Sequence, residues 1–190
     1  MERICVFCGS QTGKSERYAE AAATLARVMT KRKIDLVFGG GGIGLMGVIA
    51  NETLKNGGRA IGVIPRFLSE RELGHNGLSE LIMVESMHQR KQKMAEMSDG
   101  FIALPGGFGT LEELCEILTW RQLTLVDKPV GVLNIDGFFD RLISLFDKMI
   151  EEGFLNAWHK NLLIVENDPE ALIERFLKFS PTRRQDIEKT

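Results

Sequence analysis

Twice in this chain a short apolar run breaks into glycines and then into a helical pattern. Phe101–Leu104 leads into Pro105-Gly-Gly-Phe-Gly-Thr-Leu-Glu-Glu113, which opens a helical pattern over Thr110–Leu123. Ile34–Phe38 leads into Gly39-Gly-Gly-Gly-Ile-Gly-Leu-Met-Gly47, followed by a helical pattern to Asn56. Units of this kind build open α/β sheets, whose loops gather at the carboxyl ends of the strands, where ligands bind. Glycines strip side chains from such turns, so backbone N–H groups can reach a ligand. The partial positive charge of the helix N-terminus behind them favours an anion such as phosphate. Glu112 and Glu113 are expected in the first helical turn, beside that anion site. A phosphate cradle with a carboxylate at its edge points to chemistry on a phosphorylated small molecule.

The pattern recurs along the chain. Further apolar runs at Ile4–Cys8, Ala60–Ile64, Leu81–Val84, Val130–Leu133 and Leu163–Val165 bring the candidate strands to seven. Most lack alternation, as parallel strands buried on both faces do. Helical patterns at Ser15–Lys31, Gly44–Asn56, Met87–Ser98, Thr110–Leu123, Phe138–Glu152 and Pro169–Lys178 separate them. Gly57-Gly58 is a helix stop, and Asp168-Pro169 an N-cap with a first-turn proline. Alternating strands and helices predict an α/β fold: a doubly wound, Rossmann-like parallel sheet sandwiched by helices. One such domain is expected over residues 1–180, with a polar tail at 181–190. Pro65–Gly77 lacks strong periodicity and is expected to be a mobile loop near the ligand site.

Composition removes several function classes. At 190 residues with 44% hydrophobic content, one full core is expected. The net charge is −2, from 24 basic and 26 acidic residues interspersed, without the basic stripe that nucleic-acid binding needs. No apolar run approaches the roughly 18 residues of a membrane span. The chain enters a strand at once, so no signal peptide is expected. Three cysteines are too few for a disulfide framework. These readings together suggest a cytoplasmic protein with reduced thiols.

Several motifs carry competing readings. Gly42-x-Gly44-x-x-Gly47 satisfies the dinucleotide fingerprint, but the following strand ends Ile64-Pro65-Arg66, without the acidic ribose partner. Arg66 is the residue that would read a 2′-phosphate. Gly9–Ser15 resembles a P-loop one residue short, with Cys8 where the first glycine should stand, and no magnesium partner follows. Ser10 remains either a phosphate or ribose contact or a plain turn residue. Cys5 and Cys8 lie in or next to a strand, away from the helix N-terminus that activates a thiol, and read as buried structure. His75, His88 and His159 lack metal-ligand spacing, so no metal and no cofactor are expected. Met87-His-Gln-Arg-Lys91 puts cations at a helix start, where a counter-anion is needed: a ligand phosphate or Glu113. An Arg90 fork suits bidentate anion recognition. Thr110-x-x-Glu113 also has the form of a capping box, and both roles are compatible. Glu112, Glu116 and Thr119 share one helix face, as a cleft lining or a solvated stripe.

These residues resemble a known family. Pro105–Glu113 is similar to the PGGxGTxxE motif of the Lonely Guy (LOG) family, nucleoside 5′-monophosphate phosphoribohydrolases that activate cytokinins. Met87–Lys91 resembles its Arg-Lys segment, and Phe7–Ser10, Gly40–Gly47, Leu118–Trp120 and Lys128–Asn134 match in order, so that the resemblance covers residues 3–178. Gln89 and Gln11 stand where the family often has Glu and Ser. Members often carry a lysine decarboxylase label, but this chain has no recognisable pyridoxal-phosphate lysine site. The resemblance implies cleavage of the bond between base and ribose 5-phosphate, with Glu113 and Arg90 catalytic. It implies that Gly107, Gly109 and Thr110, with Lys91, hold the phosphate, and that Gly41, Gly42 and Ser10 close the other side. Gly106, Phe108, Leu111 and Glu112 complete the substrate-binding stretch, and Glu72 and Thr119 match ligand-lining positions. A small-molecule nucleotide substrate and a homodimer are implied, with no nucleic acid or membrane partner. The alternative is a non-catalytic nucleotide- or molybdenum-cofactor-binding protein of the same fold.

Overall fold

The computed structural model describes residues 1–69 and 74–181. Strands β1 (Arg3–Phe7), β2 (Asp35–Phe38), β3 (Ala60–Pro65), β4 (Glu80–Val84), β5 (Gly100–Ala103), β6 (Val130–Leu133) and β7 (Leu163–Glu166) form one sheet. Its order is β4-β3-β2-β1-β5-β6-β7, and every neighbouring pair is parallel. The helices are α1 (Glu16–Lys31), α2 (Gly44–Lys55), α3 (Arg66–Ser69), α4 (Met87–Met97), α5 (Phe108–Gln122), α6 (Asp140–Glu151) and α7 (Pro169–Leu177). The doubly wound parallel sheet expected from the alternation is thus the observed architecture.

Side-chain alternation on β1 shows how both faces are buried. Ile4, Val6 and Cys8 enter a core shared with α1, α2 and α7. Cys5 and Phe7 enter the opposite core, with Met94 and Ala95 of α4 and Leu114 and Ile117 of α5. Cys5 and Cys8 therefore point to opposite faces, and all three cysteines are free. Gly100 and Gly131 lie under α7, where a Cβ would stand 3.0 Å from Phe176 and 2.9 Å from Leu172. Strand β4 departs from the two-faced burial of its neighbours. It is an edge strand, and its apolar Leu81 and Met83 remain well exposed.

The chain reverses direction of travel across the sheet at β1, which pairs with β2 on one side and β5 on the other. This switch point separates the loops leaving β1 and β5, and a crevice opens there at the carboxyl edge. Three loops meet main chain to main chain beside it. Gly9 donates its N–H to Pro105 O at 3.1 Å, and Leu45 donates its N–H to Gly9 O at 3.0 Å. A Cβ on Gly106 would stand 2.9 Å from Gly9 N. Gly44 has φ +61°, and a Cβ there would overlap the main-chain carbonyl of Ser10.

The segment Pro65–Gly77 has more structure than a bare loop over its described part. β3 runs on to Pro65, α3 supplies one turn, and Gly74 bridges Gly41. His75 donates its N–H to Gly40 O at 3.2 Å, which ties the segment to the second glycine run. Glu72 and the tail residues 182–190 lie outside the described residues. No helix among the described residues is long and apolar enough to cross a membrane.

The convergence predicts a specific weakness. Gly44→Ala forces a left-handed backbone on a residue with a Cβ and pushes that Cβ into Ser10, which should cost about 2 kcal/mol or more. At ~2–4 °C per kcal/mol for a domain of this size, the thermal midpoint should fall by several degrees in a calorimetric scan. Gly57→Ala, where φ is also positive but open space surrounds the Cβ, should cost less.

Candidate active site

A cleft of about 250 Å³ lies at the switch point. Cys8, Gly9 and Ser10 line it from the end of β1, and Gly39 and Met46 from the second glycine run. Met87 and Arg90 contribute from α4, and Gly107, Phe108, Gly109, Thr110, Glu112 and Glu113 from α5.

The start of α5 forms one end of this cleft, with N–H donors that suit an anion. The N-cap is Gly107, which supplies no side-chain hydrogen bond, and the first turn holds no acidic residue. The first helical bond runs from Leu111 N–H to Gly107 O at 3.2 Å. The N–H groups of Phe108, Gly109 and Thr110 precede it and are the helix's open donors. A Cβ on Gly107 or Gly109 would meet nothing within 4 Å, so neither packing nor a left-handed backbone requires glycine there. The space a side chain would fill is left for a ligand. The helix begins two residues earlier than expected, which corrects two sequence readings. Glu112 and Glu113 fall in the second turn, and Thr110-x-x-Glu113 is not a capping box, because Thr110 is already the third helical residue.

Glu113 is the chemically distinctive group. Burial pushes its carboxyl up from 4.5 to about 7, against the nearby Arg90 and Lys91 charges that lower it; Glu112 and Glu116 add to the rise. The carboxylate is thus poised near neutrality, where it can both carry charge and exchange a proton. Arg90 shares the cleft with Glu113 without forming an ion pair with it. Its Nη2 donates to Gly39 O at 3.4 Å, its Nη1 approaches Met87 Sδ at 3.8 Å, and its Nε is buried without a partner. The awkward cation-rich start of α4 is capped instead by Ser86, whose Oγ accepts from Gln89 N–H at 3.2 Å.

Other expected site residues are placed differently. Lys91 turns away from the cleft and is held by Glu112 and, at 3.0 Å, by Glu116. Burial alone would lower its ammonium pKa, but the hydrogen bonds it donates to both carboxylates raise it overall. Lys91 is therefore a fixed charge balancing Glu112 and Glu116. The polar stripe of α5 faces this lysine as well as water. Gly106 packs under Thr110 and against Gly9. Leu111 packs on the α4–α5 side of the core. Gly41 bridges Gly74, and the Gly42 carbonyl lies under Gly47, so neither lines the cleft. Thr119 lines a separate apolar pocket between α5 and α6, and its hydroxyl donates to Cys115 O at 2.7 Å.

Two alternative readings lose their footing here. The α2 N-terminus, where a dinucleotide pyrophosphate would sit, is taken by the Gly9 carbonyl. Arg66 pairs with Glu85 at 2.8 Å. Among the described residues no cluster of three His, Cys, Asp or Glu side chains is arranged to hold a metal ion. Sequence reasoning passed over Gly39, Met46 and Met87 as lining residues, although each stood inside a quoted motif. The sequence shows Glu116 only as part of a polar stripe, because its partner Lys91 comes from another helix.

Residues 46–176 match a family described as "Possible lysine decarboxylase". The chain is 47% identical over 98% of its length to the probable cytokinin riboside 5′-monophosphate phosphoribohydrolase LOGL2 of Oryza sativa subsp. japonica, covering 77% of that protein. It is 49% identical over 94% of its length to the cytokinin riboside 5′-monophosphate phosphoribohydrolase LOG4 of Arabidopsis thaliana, covering 83% of that protein. Among solved structures, the molybdenum cofactor carrier protein of Chlamydomonas reinhardtii superposes with a TM-score of 0.71 at 20% identity, over 93% of this chain and 98% of that one. At that identity the likeness speaks for the fold alone.

The Glu113 environment generates a stability prediction with a definite sign. Its folded pKa, about 7, lies above the ordinary 4.5. The protonated form is therefore favoured in the folded state, and stability present below about 4.5 is lost as pH rises through 7. Glu113→Gln removes this ionisation. The gain in thermal midpoint of the variant over the parent should be larger at pH 8 than at pH 4, and a pH-independent difference would contradict the buried-carboxyl assignment.

Proposed function

The chain belongs to the Lonely Guy (LOG) family, and from that footing we propose that it is a nucleoside 5′-monophosphate phosphoribohydrolase. It hydrolyses the N-glycosidic bond of AMP or an N6-modified AMP, such as isopentenyl-AMP, to free base and ribose 5-phosphate. The observation that carries this reading is the pairing of an uncapped, glycine-opened helix N-terminus with a half-buried carboxyl of pKa about 7 in one cleft.

The chemistry follows from the positions. The open N–H groups at Phe108, Gly109 and Thr110 seat the 5′-phosphate, with the helix dipole behind them. That anchor holds the sugar near Glu113, five residues further along the same helix than Phe108. Departure of the base leaves an oxocarbenium-like sugar, which the ionised Glu113 stabilises by its charge in a water-poor setting. The same carboxylate orients the attacking water and accepts its proton, which passes on to the departing base, so that water is divided between base and sugar. Arg90, held loosely by a carbonyl and a thioether, has donors free for the substrate and keeps Glu113 ionisable. Ser10 and Phe108 both line the cleft, and Phe108 is 92% exposed.

A lysine decarboxylase would need a lysine neutral enough to form an imine with pyridoxal phosphate. Lys91, the lysine nearest this chemistry, is held charged by two carboxylates and turned out of the cleft, so these residues do not fit that group. We place the protein in the cytoplasm and take it to be a homodimer. The exposed Leu123 (59%) and Leu125 (69%), which continue the apolar surface beyond α5, support pairing through that end.

Purified protein incubated with AMP should release adenine and ribose 5-phosphate, while adenosine, lacking the phosphate anchor, should turn over far more slowly. Retention of nucleotide without release of base would instead identify a binding protein. Glu113→Gln should lose on the order of a hundredfold or more in kcat at unchanged or raised thermal midpoint, and Arg90→Ala should be comparably impaired. The acid limb of kcat/KM should titrate near 7, following the free-enzyme carboxyl. Light scattering at micromolar concentration should report twice the 21.3 kDa chain mass; a monomer would refute the dimer.

A further inference from the structure

Arg90 is held unlike an ordinary buried cation. Among the described residues no carboxylate pairs with it, and its Nε is buried without a hydrogen-bond partner. Its guanidinium instead lies over Gly39. A Cβ at Gly39 would overlap Nη2 and stand 3.0 Å from Cζ, with Met46 Sδ at 3.3 Å on the other side. The Gly39 carbonyl accepts from Nη2 at 3.4 Å, and the Met87 thioether, one helical turn before Arg90, meets Nη1 at 3.8 Å. Gly39 is not among the positive-φ residues, so its backbone conformation does not call for glycine. The demand comes chiefly from the guanidinium, with the Met46 thioether a lesser second contact.

We propose that Gly39 and Met87 are positioning residues for Arg90: Gly39 opens a slot for the guanidinium, and two weak acceptors hold it there while leaving its remaining donors for the substrate. A carboxylate at either place would fix the same orientation but would consume the fork and neutralise its charge. A carbonyl at long range and a soft sulfur orient it and do neither. The inference rests on the reading of Arg90 as a catalytic group. It adds two residues that act only through it.

The test is a double-mutant cycle of Gly39→Ala and Arg90→Ala, with Met87→Leu as a separate arm, read in AMP turnover and in thermal midpoint. Gly39→Ala should lose on the order of a hundredfold, as a displacement of about 1 Å can, carried by kcat more than by KM. Its acid limb should move upward, because the Arg90 charge that favours ionised Glu113 would be pushed off. The other groups around Glu113 stay in place: Lys91 on α4, Glu112 and Glu116 on α5, and the thiols of Cys5 and Cys8 at β1. In the Arg90→Ala background the new methyl has room, so Gly39→Ala should lower neither kcat nor midpoint further. Met87→Leu, which keeps volume and removes the acceptor, should lose kcat several-fold at an unchanged midpoint. Wild-type kcat in Gly39→Ala, or an undiminished second loss in the Arg90→Ala background, would overturn the slot. Wild-type kcat in Met87→Leu would overturn the sulfur's part. Should Gly39→Ala fail to fold, folding of the double variant supports the slot, and its failure to fold overturns it. Coupled midpoints with full turnover in Arg90→Ala would leave the slot standing and remove the catalytic reading of Arg90.

Discussion

Everything at the working edge of this molecule depends on three loops being able to touch through their main chains. The turn after β1 lies between the two glycine runs, with Gly9 against Gly106 and Ser10 against Gly44. Two backbone bonds, Gly9 N–H to Pro105 O and Leu45 N–H to Gly9 O, lock the stack. No side chain other than hydrogen fits these contacts, and the approach brings the start of α5 to the same crevice as Arg90 of α4. The parallel sheet supplies the frame. Its packing, with α1, α2 and α7 on one face and α4, α5 and α6 on the other, puts the switch point in the middle of the carboxyl edge.

Charge is arranged around that stack with a clear division of labour. Lys91 is consumed by Glu112 and Glu116, so three of the five ionic groups near the cleft settle among themselves. Glu113 and Arg90 are left facing the cleft without direct pairing. A burial-raised carboxyl and a weakly held guanidinium are each costly for a fold to keep, and a purely structural helix–helix contact would have joined them into a salt bridge. Perturbed groups of this kind in a cleft are the physical mark of a reactive site.

Much of this was legible in the sequence, for reasons that differ by element. All seven strands stand out as short apolar runs, four of them cut off by glycine or proline, and the ends agree to within a residue or two. The two glycine runs and the Arg90–Glu113 pair were readable because strand–glycine–helix junctions constrain both geometry and chemistry. The start of α5 was not. Glycine is a poor helix former, so reading propensity alone moved the boundary past Gly109 to Thr110 and turned Glu113 into a cap. The helix nonetheless starts at Phe108 and carries Gly109 in its first turn. The phosphate role of Lys91 comes from the resemblance; its ion-pair partners lie 21 and 25 residues away on another helix, a distance no local pattern reports. Gly39 was hidden for the same reason: its role is set by a side chain 51 residues further on.

The glycines around the cleft fall into two kinds, and the difference bears on how the protein can change over time. Gly9, Gly44 and Gly106 are enforced by neighbouring main chain, so any descendant that still folds this way must keep them. Gly107 and Gly109 are enforced by nothing in the protein; a helix would be steadier with alanine at the second. A lineage that stopped handling phosphorylated substrates would shed those two first, while the fold and its other glycines persisted. Change at those two positions would reshape the cleft and leave the frame of the fold untouched.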